Sequence, residues 1–177
     1  MVLSYVLIGA AVSPSFYPNR VIATLLAYFL GLGLSAHALN ELHARHWGET
    51  LSKRELEILF AAPLIGAILI GVFGMVVLYA TSGALLTPLV LLAFIFLETF
   101  FLFAYNIDLS GGRYHTDLAF AFSWAALPVL VSYYVNALTI TVVALLVSVA
   151  MAATAGIEIN LSRRQGPICI SLADSES

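Results

Sequence analysis

Six apolar runs, each bounded by turn residues or charges, organise this chain: Val2 to Val12, Val21 to Leu39, Leu56 to Ala80, Ala84 to Ala104, Leu118 to Val135 and Ala137 to Ile157. All but the first approach the ~20 residues that cross a bilayer as a helix. The apolar positions are continuous instead of alternating, which excludes a transmembrane β-barrel. Between the runs lie turn and breaker residues: Ser13-Pro14, Pro18-Asn19, Thr81-Ser82-Gly83, Gly111-Gly112 and the short Tyr134-Val135-Asn136 connection. The pattern predicts an all-α fold, a polytopic membrane helix bundle of about six transmembrane helices with the first one short. Residues 1–160 form a single bundle, and residues 161–177 a cytoplasmic tail.

Composition supports this reading. Of 177 residues, 62% are hydrophobic and 10% charged, and the mean hydropathy is +1.01, whereas a soluble domain is roughly 45–50% apolar and about 25% charged. The net charge of −3 and the lack of a basic run argue against a nucleic-acid partner, because phosphate backbones select clustered Lys and Arg. Cys169 is the single cysteine, so no internal disulfide forms.

Charge then sets orientation. With the N-terminus inside, the loops and tail on one side hold Arg45, Lys53, Arg54, Arg113, Arg163 and Arg164, and the other side holds only Arg20. The positive-inside rule makes the crowded side cytoplasmic, with both termini there. Most carboxylates fall on the same side, and the opposite loops are nearly featureless. Chemistry is therefore expected at the cytoplasmic face of an integral membrane protein.

Ser35 to Glu55 is the one long polar island, carrying His37, His43 and His46 of the four His and three of the seven Lys and Arg. Residues four apart share a helix face, so His37 can meet Glu41, and Glu41 can meet Arg45. With Asn40 and His43 this set suits a hard cation through oxygen ligands, or a transition metal through nitrogen and oxygen. It equally suits a helix end in the headgroup region anchored by Trp47. Ser52-Lys53-Arg54-Glu55 has the form of a capping box, and Lys53 and Arg54 beside a helix start also suit an anion.

The order apolar helix, Asn40-Glu41, short polar loop, Gly48-Glu49-Thr50-Leu51-Ser52-Lys53-Arg54-Glu55, apolar helix resembles the UbiA-type intramembrane prenyltransferases. A second stretch, Gly112-Arg113-Tyr114-His115-Thr116-Asp117-Leu118 running on to Ser132-Tyr133-Tyr134-Val135, resembles the naphthoate-prenylating branch of that family. The resemblance implies a cavity open to the cytoplasm that takes a prenyl diphosphate with Mg²⁺ and transfers the prenyl group to a small aromatic or lipid acceptor. It implies Glu41 and Asp117 as catalytic residues and Asn40 with Glu41 as metal ligands. It places Arg45, Lys53, Arg54, Tyr105, Asp108, Arg113 and Tyr114 around the substrates. The next acidic positions of the first motif fall on Ala44 and Gly48, and Glu158 stands where the family carries a second Asp-rich motif. The alternative is a non-catalytic membrane protein, a scaffold subunit or lipid binder that keeps the fold. The small residues Gly31 and Ser35, Ala62 and Gly66, and Ala67 and Gly71 let helices approach closely, within the bundle, with a second copy or with a partner subunit.

Two further sites follow from the residues alone. Glu98 lies in an apolar run, where an ionised carboxylate costs a few kcal/mol near the bilayer centre; it is either functional or paired with Tyr105 or Thr99. His115, two residues from Asp117, is either a base for an acceptor hydroxyl or half of a solvated loop pair.

Overall fold

The computed structural model describes residues 1–44 and 51–175, with side chains described for residues 1–43 and 51–162. Within these residues the chain is helical, with no strand. Helix α1 spans Val2–Ala11. Helix α2, Pro18–Tyr28, starts on the favourable proline at its first position. It passes through a wide π-helical segment, Phe29–Ser35, into α3, Ala36–Ala44. Helix α4 runs Lys53–Ser82 and α5 Leu86–Asn106. A single turn, α6, Leu109–Gly112, leads to α7, Asp117–Ala121. A second wide segment, Phe122–Ala126, joins α7 to α8, Leu127–Ala137, and α9 covers Val142–Ser175.

Five of these stretches are long and apolar enough to cross a membrane: Pro18–His43, Lys53–Ser82, Leu86–Asn106, Asp117–Ala137 and Val142–Ser162. They match five of the six apolar runs. The first run is different. Helix α1 has 10 residues, about 15 Å of rise, half the thickness of the hydrocarbon core, and it lies against α8. Gly9 makes that contact: a Cβ there would overlap the backbone carbonyl oxygen of Val129.

Asp117–Ala137 is the central helix, with 72% of its apolar stretch buried, against 6% for Lys53–Ser82. Leu127, Val129, Ser132 and Asn136 on it are almost fully enclosed. The outer helix α4 shows Ile65, Leu69, Phe73 and Val76 outwards, a surface suited to lipid. Among the small-residue pairs, Gly31 brings its segment to 3.7 Å, measured from an added Cβ, of the Ala67 Cβ. Gly71 makes room for Ile95, whose Cδ1 would lie 2.7 Å from a Cβ there.

The ends of α4 are set by local chemistry. Ser52 accepts from the Glu55 backbone N–H at 3.3 Å, and the Glu55 carboxylate accepts from the Ser52 N–H at 2.8 Å. This is the capping box read from the sequence. Gly83 closes the helix in the left-handed conformation at φ 66°, which glycine adopts without steric cost.

Candidate functional site

Helices of alternating direction bring the end of α3, the start of α4, the end of α5, the α6 turn, the start of α7 and the outer part of α9 to one end of the bundle. Most of the residues singled out in the sequence therefore share that end. Asn40 and Glu41 lie on α3 and are exposed, and Lys53 and Arg54 are exposed at the start of α4. Lys53 pairs with Glu57 one turn on, Nζ to Oε1 3.7 Å, both largely in solvent. Arg113 is exposed and Tyr114 half-buried in the connection before α7. Arg45 lies outside the described residues, as do His46 and Trp47, and so do the side chains of Arg163 and Arg164.

The closest polar grouping at this end centres on Asp108. His115 Nδ1 lies 2.8 Å from Asp108 Oδ1, and His43 Nε2 lies 3.5 Å from Asp108 Oδ2. The backbone explains the convergence: Asp108, Ser110 and Gly111 all take positive φ, 51°, 57° and 70°, and Gly112 N–H donates to Asp108 O at 2.9 Å. This left-handed turn aims Asp108 back over the end of α5, and two non-glycine residues hold a conformation that costs on the order of 1–2 kcal/mol each. His115 also stacks on Tyr105, with ring centroids 4.4 Å apart and planes 18° apart. The histidine that sequence spacing placed beside Asp117 is thus partnered by Asp108. Asp117 is in turn met by the Asn160 side chain of α9, Nδ2 to Oδ2 3.3 Å. It opens α7 under a Thr116 cap, whose hydroxyl accepts from Ala119 N–H at 3.1 Å.

The two described histidines of the island diverge. His43 turns to Asp108, and His37 sits edge-on to Trp124, ring centroids 5.8 Å apart. A recess of about 230 Å³ between α1 and the two wide segments is bordered by His37, Trp124, Phe29 and Gly33.

Two chains of aromatic rings reach the polar end. One chain of ring contacts runs His37, Trp124, Phe120, Tyr105, His115, with successive centroids 4.4 to 5.8 Å apart. Another runs Phe122, Phe101, Phe100, Tyr114, each step 5.4 Å. Rings at these separations and mostly edge-on favour one another beyond the area they bury.

A long cavity lies elsewhere. It measures about 280 Å³, lies between α2, α4, α5 and α8, and extends along α5 from Leu91 to Leu102. Glu98 lines it. Its Oε1 accepts from the Tyr28 hydroxyl of α2 at 2.6 Å, and its Oε2 is buried without a hydrogen-bond partner. The sequence offered Tyr105 or Thr99 as partners; the actual one is 70 residues away in the chain, and sequence spacing carries no signal for it.

Among the described residues, no three His, Cys, Asp or Glu side chains come together as a metal-holding group. Asn40 and Glu41 supply one carboxylate and one amide. Mg²⁺ is usually held by one or two carboxylates together with substrate phosphates, and neighbours on a helix do not face one another, so Asn40 and Glu41 by themselves do not make a resident ion site. Compared with known proteins, the chain matches no family model, no curated protein and no solved structure.

Proposed function

We propose that this membrane protein transfers a prenyl group from a prenyl diphosphate to a small aromatic or lipid acceptor at the polar end of its bundle. The observation that carries the reading is the company kept at that end: exposed cations and carboxylates on α3, α4 and the connection before α7, and two chains of aromatic rings that reach it at His115 and at Tyr114. Lys53, Arg54 and Arg113 would meet the diphosphate, and Asn40 and Glu41 the magnesium ion that accompanies it as part of the substrate. The allylic C–O bond breaks, and the diphosphate leaves with the bonding electrons. Aromatic faces stabilise the cationic carbon left behind, as they do other cations. The acceptor, oriented by Asp117, forms the new bond and loses a proton. His115, with Nδ1–H directed at Asp108, presents Nε2 as the base, and Tyr105 fixes the plane of its ring. Tyr114 extends the aromatic wall.

A second reading, a lipid-binding or scaffold protein without catalysis, draws on the exposure of Asn40 and Glu41. Diphosphate departure is favoured where water is excluded, and these side chains stand in solvent. Incubation of the purified protein with labelled prenyl diphosphates and a panel of acceptors, with and without Mg²⁺, separates the two. Magnesium-dependent transfer that disappears in Glu41→Gln supports the first reading. Absence of both diphosphate binding and transfer overturns the first reading and favours the second.

A further inference from the structure

The cavity between α2, α4, α5 and α8 is not used by that chemistry. From Leu91 to Leu102 along α5 is about 16 Å of helix. Its walls are largely apolar, including Ala27, Leu32, Ile68 and Phe94, with Arg20 towards one end and Glu98 with Tyr28 about one helical turn short of the other. The two ends differ in what they have left to offer. The Arg20 guanidinium already donates to Val135 O at 2.8 Å and to Thr81 Oγ1 at 3.2 Å, and lies 4.3 Å from the Tyr17 ring centroid. Glu98 uses one oxygen for Tyr28, while the other is buried and unmatched. A buried acceptor without a partner costs on the order of 1–3 kcal/mol. In an apolar membrane setting that cost is relieved by a donor brought in with a ligand.

We infer that this cavity is a binding site for a single-chain amphiphile whose terminal group donates a hydrogen bond, an alcohol or an amine, to Glu98 Oε2 while its chain lies along α5 towards Arg20. A carboxylate-headed chain would bury a charge in an apolar slot and is disfavoured. A hydrocarbon fills the slot but leaves Oε2 unmatched. Exposed Asn19 and Phe73 among the lining residues give a way in from the side. The site does not depend on prenyl transfer, since it contains none of Asn40, Glu41, His115 or Asp117.

The test uses the full chain in phosphatidylcholine nanodiscs and a diazirine-bearing dodecanol, with crosslinked residues mapped by mass spectrometry. Labels are expected on the faces of α2, α4 and α5 that line the slot. Unlabelled dodecanol or dodecylamine should compete about tenfold better than dodecane or dodecanoate, the factor expected for one hydrogen bond to a buried carboxyl. Whichever of the two competes better identifies the head group. Glu98→Leu should abolish the preference for the donor-headed probes; because it strands the Tyr28 hydroxyl, the double variant Glu98→Leu with Tyr28→Phe serves as the better-folded form. Ala27→Phe, which fills the slot and leaves the Glu98–Tyr28 pair in place, should abolish slot labelling for every probe. Competition that ignores the head group, labels confined to the outer face of α4, or unchanged selectivity in the double variant would each overturn the inference. Retained prenyl transfer in these variants keeps the outcome separate from the proposed activity.

Discussion

The two ends of the bundle use similar polar residues to opposite effect. At the Arg20 end the groups consume one another: Tyr17 N–H donates to Asn136 Oδ1 at 2.9 Å, Asn136 Nδ2 donates to Ser132 O at 2.8 Å, and Arg20 is held by a carbonyl, a hydroxyl and a ring. Asn136 itself is 2% exposed. At the other end Asn40, Glu41, Lys53, Arg54, Asp108 and Arg113 stand exposed. The ion pairs His43–Asp108, His115–Asp108 and Lys53–Glu57 join side chains about half in water, where such pairs contribute at most about 1 kcal/mol. A polar group spent on helix contacts holds the fold, and one left in solvent is available to a ligand. The distinction lies in partners rather than in residue type.

Substitutions should break the two ends in different currencies. The largest effect is expected for Glu41→Gln, with prenyl transfer falling about a hundredfold or more, the scale for removing one electrostatic stabiliser of a transition state, and stability moving by less than about 0.5 kcal/mol as for other exposed sites. Radiolabelled transfer measured beside thermal unfolding reads both. Gly9→Val should next disturb the fold by about 1–3 kcal/mol or more, since its side chain meets the Val129 backbone. Proteolysis between α1 and α2 would report the release of α1. Asn136→Ala removes acceptor and donor together from the closed end and should cost about 1–3 kcal/mol, seen as a lower unfolding midpoint with unchanged transfer per folded molecule. Thr116→Ala, which removes the α7 cap, should cost about 1 kcal/mol. The smallest effect is that of Lys53→Ala on stability, within about 0.5 kcal/mol; its weakening of diphosphate binding, measured by titration, should exceed that.

Much of the fold was legible because membrane helices are written in apolar length. The five long spans fall where the runs lie, the Ser52–Glu55 box caps α4, and Gly31 and Gly71 admit neighbouring helices. What was not legible depends on helices meeting out of sequence. Tyr28 reaches Glu98, and His43 and His115 converge on Asp108 because the ends of α3 and α5 and the start of α7 lie at the same end of the bundle. The wide segments at Phe29–Ser35 and Phe122–Ala126 carried no signal in an apolar run, yet they change which side chains face inwards after them. His37 meets Trp124, and no hydrogen bond or ion pair joins it to Glu41. The left-handed turn at Asp108 was only hinted at by Gly111-Gly112.

The direct measurement is equilibrium binding of a prenyl diphosphate to the full chain in nanodiscs, with Mg²⁺ and with the ion chelated, for the wild type and Glu41→Gln. Saturable binding that needs Mg²⁺ and falls at least about tenfold in the variant, a loss of about 1.4 kcal/mol, is the predicted result. Binding that is absent, or equal with and without Mg²⁺ and unchanged in Glu41→Gln, would contradict it.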